Sequence, residues 1–149
     1  KSALKELTAS GFKIFIISNQ AGVAKRIYPQ EELDQITRNM LGSFKRNKIE
    51  ISGVYYCTHQ SKDNCLCRKP KIGLIKKALS QLKKQGHKIQ KNKSYFIGDT
   101  IRDIETGKNA GLKAILVFSG KEKLGNRVNW HTLPDFFARD LSQAVAKII

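Results

Sequence analysis

The chain has 149 residues, 40 % hydrophobic and 27 % charged. That suits one globular domain with one core and gives no apolar run near the ~20 residues of a membrane span. With 28 Lys+Arg against 12 Asp+Glu, the formal net charge of +16 favours anionic partners such as phosphorylated metabolites, nucleic acid or a membrane surface, unless the lysines are only a solvated coat.

Residues 2–10 read as the end of an amphipathic helix with Leu4 and Leu7 inward and Gly11 as its stop. Residues 13–18, KIFIIS, form a short β-branched apolar run, the pattern of a buried strand. A loop containing Gly22 follows, and Pro29 opens a helix to about Arg46 with Leu33, Ile36, Met40 and Phe44 on one face. A second strand is expected over 51–56. A polar loop leads to Pro70, and a helix over 73–85 turns Ile75, Leu79 and Leu82 inward. The strand at 94–97 runs into Gly98-Asp99 and a helix over 101–110. Another strand at 114–118, a weak one at 135–138 and a helix over 141–149 complete the chain. Strands and helices alternate, which predicts a parallel three-layer α/β sheet with ligands beyond the carboxyl ends of the strands.

Polar groups stand at those ends. Ser18-Asn19-Gln20 could donate a hydroxyl and amides to phosphate oxygens, or could be a capped turn. Asp99 and, four residues on, Asp103 are hard oxygen ligands of the kind Mg²⁺ takes, or a helix cap and a solvated carboxylate. Lys69, beside Arg68 and Pro70, could neutralise phosphate charge.

The three cysteines, Cys57, Cys65 and Cys67, lie within eleven residues. Their odd number argues against a disulfide framework and for a reducing, cytoplasmic setting. With His59 they match a closed Cys₃His zinc site, which would be structural, the alternative being three free thiols and a surface histidine. Metal would supply the ordering energy that this polar loop lacks. His87, His131 and Trp130 have no evident role.

SNQAGVAKR, GVYYCTH, CLCRKPKIGL and FIGDTIRDIETGKNAG together resemble the haloacid dehalogenase phosphatases over nearly the whole chain. The zinc loop joined to Arg-Lys-Pro narrows the likeness to the D-glycero-D-manno-heptose-1,7-bisphosphate 7-phosphatases and the related histidinol-phosphate phosphatases. The resemblance implies a three-layer Rossmann-like fold and Mg²⁺-dependent hydrolysis of a phosphorylated small molecule. It assigns Ser18 to the transferring phosphoryl group and Asn19, Gln20 and Arg68 to substrate. Lys69 stabilises phosphoryl group and nucleophile. Asp99 ligates Mg²⁺, with Asp103 in support. Cys57, His59, Cys65 and Cys67 hold Zn²⁺. A single domain over 1–149, with a zinc loop at 57–67, acting as a monomer without a membrane, is the expected organisation.

Departures leave the substrate open. Only five residues separate His59 from Cys65, and Thr100 stands where a substrate-contacting lysine is often found. A polynucleotide 3′-phosphatase shares the Asn-Gln-x-Gly and Lys-Pro-x-x-Gly motifs but not the cysteine loop, so nucleic acid is the less favoured partner. The family's nucleophile comes from an Asp-x-Asp motif. The six aspartates here, Asp34, Asp63, Asp99, Asp103, Asp135 and Asp140, contain no such pair. The expectation is therefore a copy lacking its first, central strand, inactive and poorly stable by itself. A zinc-stabilised, phosphate-binding module without catalysis is the competing reading.

Overall fold

A computed structural model describes all residues, Lys1–Ile149. The chain divides into two compact units, residues 1–68 and 69–149.

In the first unit, α1 (Ser2–Ala9) leads into β1 (Ile14–Asn19), α2 (Gln30–Arg46) and β2 (Ile51–Cys57). β1 and β2 pair in parallel, with Ser18 opposite Tyr56 and Asn19 opposite Cys57. Two consecutive strands can pair in parallel only across a long connection, and α2 provides it. Phe15 and Tyr55 stack across the pair with centroids 6.1 Å apart. The helix faces differ in detail from the sequence expectation. On α1 the buried residues are Ala3 and Leu7, and Leu4 is only half-buried. On α2 Leu33 is buried, whereas Ile36 is 55 % exposed. The inward stripe steps from Leu33 to Thr37, one turn on: four residues overshoot a full rotation by only about 40°, whereas three fall short by about 60°. Thr37 Oγ1 bonds the carbonyl of Leu33 at 2.7 Å and lies 3.0 Å from the Tyr56 hydroxyl. A polar group thus occupies a place reserved for an apolar one.

In the second unit, α3 (Gly73–Lys84), β3 (Tyr95–Gly98), α4 (Ile101–Asn109), β4 (Lys113–Val117), β5 (Phe136–Ala138) and α5 (Leu141–Ala146) follow in order. The three strands form a parallel ladder, β3-β4-β5. β4 is central and reads AILV because both its faces are covered. Ala114 and Leu116 pack with Ile101 and Ile104 of α4, while Ile115 and Val117 pack with Ala138 and with Ala144 of α5. On α3 the fully buried residues are Leu74, Ile75 and Ala78; the expected Leu79 and Leu82 are half-buried. Asp135 starts β5 by accepting from the Ala114 amide at 2.7 Å and from Lys108 Nζ at 2.6 Å. Trp130 packs on Phe137, and His131 Nε2 meets Glu105 Oε2 at 3.1 Å, a partner the sequence did not suggest.

Within each unit the strands pair in parallel, as alternation predicts. They form two ladders, one per unit. No helix is long and apolar enough to cross a membrane.

Candidate active site and metal centre

The end of β1 presents Ser18. Gln20 Nε2 donates to Ser18 Oγ at 3.1 Å, and the Tyr28 hydroxyl donates to Gln20 Oε1 at 2.8 Å. The Gln20 amide extends the β1–β2 pairing, donating to the Cys57 carbonyl at 2.7 Å.

β2 ends at the buried Cys57, where the loop carrying His59, Cys65 and Cys67 begins. Cys57 Sγ lies 3.6 Å from both His59 Nδ1 and Cys65 Sγ. Cys67 Sγ lies 3.2 Å from Cys57 Sγ, 3.2 Å from His59 Nδ1 and 3.5 Å from Cys65 Sγ. All four donor atoms fall within 4.8 Å of one another. A tetrahedron with metal–sulfur bonds of about 2.3 Å has edges of roughly 3.8 Å, so this donor set is close to the size a zinc ion needs. The three cysteines form no disulfide. Burial, with the neighbouring Cys67 and Cys65 side chains, pushes the Cys57 thiol up to about 12. At Cys65 burial also pushes upward, but the Cys67 and Arg68 amides outweigh it, and the thiol falls to about 7.

The loop is tied to its surroundings by contacts the sequence reading missed. Gln60 and Asp63 cap the 3₁₀ turn Ser61–Asp63 reciprocally, a pattern visible in the spacing of the two residues. Gln60 Nε2 also bonds the Ala24 carbonyl at 3.0 Å, joining the metal loop to the loop after Ser18. Arg68 Nη1 donates to the His59 carbonyl at 3.0 Å.

In the second unit, Lys69 Nζ meets Asp103 Oδ1 at 2.5 Å. Asp103 is only 4 % exposed. Its other oxygen accepts from the Thr100 hydroxyl at 2.7 Å and the Thr100 amide at 3.2 Å, and Thr100 Oγ1 accepts from the Asp103 amide at 3.2 Å. Asp103 thus serves Lys69 and the start of α4 with both its oxygens.

Asp99 precedes that helix and turns elsewhere. Its Oδ2 accepts from the Lys121 amide at 3.0 Å. Gly120 makes the approach possible, since a Cβ there would stand 2.1 Å from Asp99 Oδ2. One carboxylate oxygen is thereby held by backbone, which suits a carboxylate that offers its second oxygen to a hard cation. A lone carboxylate supplies only part of the shell such a cation requires.

The profile of the HAD-hydrolase-like family matches residues 66–144, more than half of the chain. The chain belongs to this family. A heptose-bisphosphate phosphatase of Haemophilus influenzae, named D-glycero-beta-D-manno-heptose-1,7-bisphosphate 7-phosphatase, is 33 % identical over 130 residues, which span 83 % of this chain and 68 % of that protein. The histidine biosynthesis bifunctional protein HisB of Baumannia cicadellinicola is also 33 % identical over 135 residues, 91 % of this chain but only 35 % of that protein. Among solved structures, the D,D-heptose 1,7-bisphosphate phosphatase of B. bronchiseptica, complexed with magnesium and phosphate, superposes with a TM-score of 0.83 at 22 % identity, covering 99 % of this chain and 79 % of that one. That likeness bears on the fold. Its phosphatase relatives class this HAD-like hydrolase as a phosphoric monoester hydrolase.

Proposed function

We propose that this HAD-like hydrolase removes the 7-phosphate of D-glycero-D-manno-heptose 1,7-bisphosphate. The reading rests most on the heptose phosphatase of H. influenzae, which matches this chain over two thirds of its own length. It fits a strand-end hydroxyl at Ser18 and an ammonium at Lys69 held in place by Asp103.

In this reading Ser18 donates its hydroxyl proton to a phosphoryl oxygen, and Asn19 and Gln20 shape the same loop. The Lys69 ammonium stabilises the charge that develops on the transferring group, where a fixed cation acts without reorganising. Arg68 addresses the rest of the substrate. Asp99 would hold magnesium, which when bound offsets the repulsion between an anionic nucleophile and the phosphoryl oxygens. The four sulfur and nitrogen donors would hold zinc with no position left for water, so that ion orders the loop rather than taking part in the chemistry.

An aspartyl-phosphate step needs a nucleophilic aspartate. None of the six aspartates here is placed for it. Asp34 lies on α2, Asp63 braces the 3₁₀ turn, Asp140 caps α5, Asp135 ties β5, Asp103 holds Lys69, and Asp99 is the metal candidate. A polypeptide with only these six aspartates is expected to release no phosphate by that route, and turnover by it would overturn this part of the reading.

The deciding experiment measures kcat/KM of the full-length gene product for the heptose bisphosphate, histidinol phosphate and a 3′-phosphorylated oligonucleotide, with magnesium present. The heptose bisphosphate should lead. Preference for histidinol phosphate would overturn the assignment in favour of the other zinc-loop branch.

A further inference from the structure

The loop after β1 contains a directed chain of hydrogen bonds. The Tyr28 phenol donates to Gln20 Oε1 at 2.8 Å, and Gln20 Nε2 donates to Ser18 Oγ at 3.1 Å. An amide has one accepting end and one donating end. With the accepting end taken by Tyr28, the donating end faces Ser18. A hydroxyl oxygen that accepts from Gln20 keeps its own proton for another acceptor. The direction of the chain therefore decides what Ser18 offers, which is a donor aimed away from Gln20.

The local backbone is built to bring Tyr28 back to Gln20. Lys25 N bonds the Ala21 carbonyl at 3.0 Å, and Ile27 N bonds that of Gly22 at 2.9 Å. Arg26 takes a left-handed φ of 54° between them. The Tyr28 ring then lies directly on Gly22, where a Cβ would be 2.2 Å from the ring edge. A larger residue at 22 would push the phenol off its partner.

We infer that Tyr28 is a positioning residue, which through Gln20 sets Ser18 as a hydrogen-bond donor to the phosphoryl group, and that Gln20 acts on Ser18 rather than on substrate. This rests on the proposed role of Ser18. It differs from that role in naming the phenol of Tyr28, ten residues further along the chain, as its determinant, and in moving Gln20 from the substrate to the hydroxyl.

The test titrates inorganic phosphate against the protein and follows binding by ³¹P NMR, for the native chain, S18A, Y28F and Q20E. S18A sets the scale. Y28F keeps the ring on Gly22 and removes only the phenolic proton. It should weaken phosphate binding by roughly 2- to 10-fold, the range of one hydrogen bond, with the melting temperature unchanged. Q20E keeps the shape but is acceptor-only when ionised, so Ser18 must donate inward. Its binding should fall as far as that of S18A and recover relative to the native chain as pH drops towards about 4, where a glutamate regains its proton. If S18A binds phosphate like the native chain, the role of Ser18 fails and this inference with it. Weakening in S18A with native binding in Y28F, or no recovery of Q20E at low pH, overturns the inference while leaving Ser18 its role.

Discussion

Thr100 is a small residue with two duties. Its hydroxyl accepts from the Asp103 amide, which caps α4, and donates to the Asp103 carboxylate, which frees the other oxygen for Lys69. Removing a cap of this kind costs about 1 kcal/mol. Valine has the shape of threonine without the hydroxyl, so T100V should lower stability in urea by about that amount. It should also loosen Lys69, which would then react faster with an amine-modifying reagent, as mass spectrometry can quantify. T100S keeps both bonds and should match the native chain in both measurements. Equal Lys69 reactivity in T100V and the native chain would confine Thr100 to capping.

Elements are held by such contacts too, and the metal loop is the clearest case. The Cys57 thiol sits at about 12 without metal, so it carries its proton at any physiological pH. Binding zinc must displace that proton, whereas Cys65, at about 7, is already partly ionised near neutrality. Zinc uptake should therefore release at least one proton per ion at pH 7.5 and weaken as pH falls. Calorimetry in buffers of different ionisation enthalpy gives the proton count. Because Gln60 bonds the Ala24 carbonyl and the Gln20 amide bonds that of Cys57, chelation should also raise hydrogen exchange over 20–28. Exchange confined to 57–67 would show that the two loops are independent. β5 depends on a different device. The Asp135 carboxyl feels burial pushing its pKa up, but the Ala114 amide and Lys108 prevail and hold it below its usual 3.8. A depressed carboxyl stabilises the fold fully above its usual value and loses that contribution as pH falls through the lower, folded value. The native chain should thus lose thermal stability on acidification below about 4, and D135A, already less stable at neutral pH, should lose less over the same range. The elements were legible because periodicity survives packing: KIFIIS and AILV both form strands, although β4 is buried as its pattern predicts and β1 is only half-buried along its length. The clustering of Cys57, His59, Cys65 and Cys67 was legible because they share one short loop. Ile36 was misjudged because apolar type was weighed above the phase of the helix, and Thr37 satisfies its hydroxyl locally. Tyr28, Gln60 and Gly120 went unnoticed because their partners lie 8 to 36 residues away, and only the fold brings them together.

At the scale of the whole molecule, charge is the property that local reading leaves unused. The formal net charge is +16, and residues 64–98 hold ten Lys and Arg with no Asp or Glu. On α3, Lys76, Lys77, Lys83 and Lys84 are exposed, two pairs seven residues apart on one side of the helix. The ion pairs of the protein, Lys69–Asp103, Lys108–Asp135 and His131–Glu105, use none of them. A field of one sign raises the local concentration of an anionic ligand and its rate of arrival, without changing the chemistry that follows. Salt shortens the reach of that field from about 30 Å at 0.01 M to about 10 Å at 0.1 M. For the full-length gene product, KM for a bisphosphate should therefore rise several-fold over that range while kcat stays level. The rise should be smaller for a monophosphate, which carries less charge. Reversing the α3 lysines to glutamate should flatten the dependence if they shape the field at the substrate. A KM indifferent to salt in the native enzyme would return these lysines to the plainer role of a solvated coat.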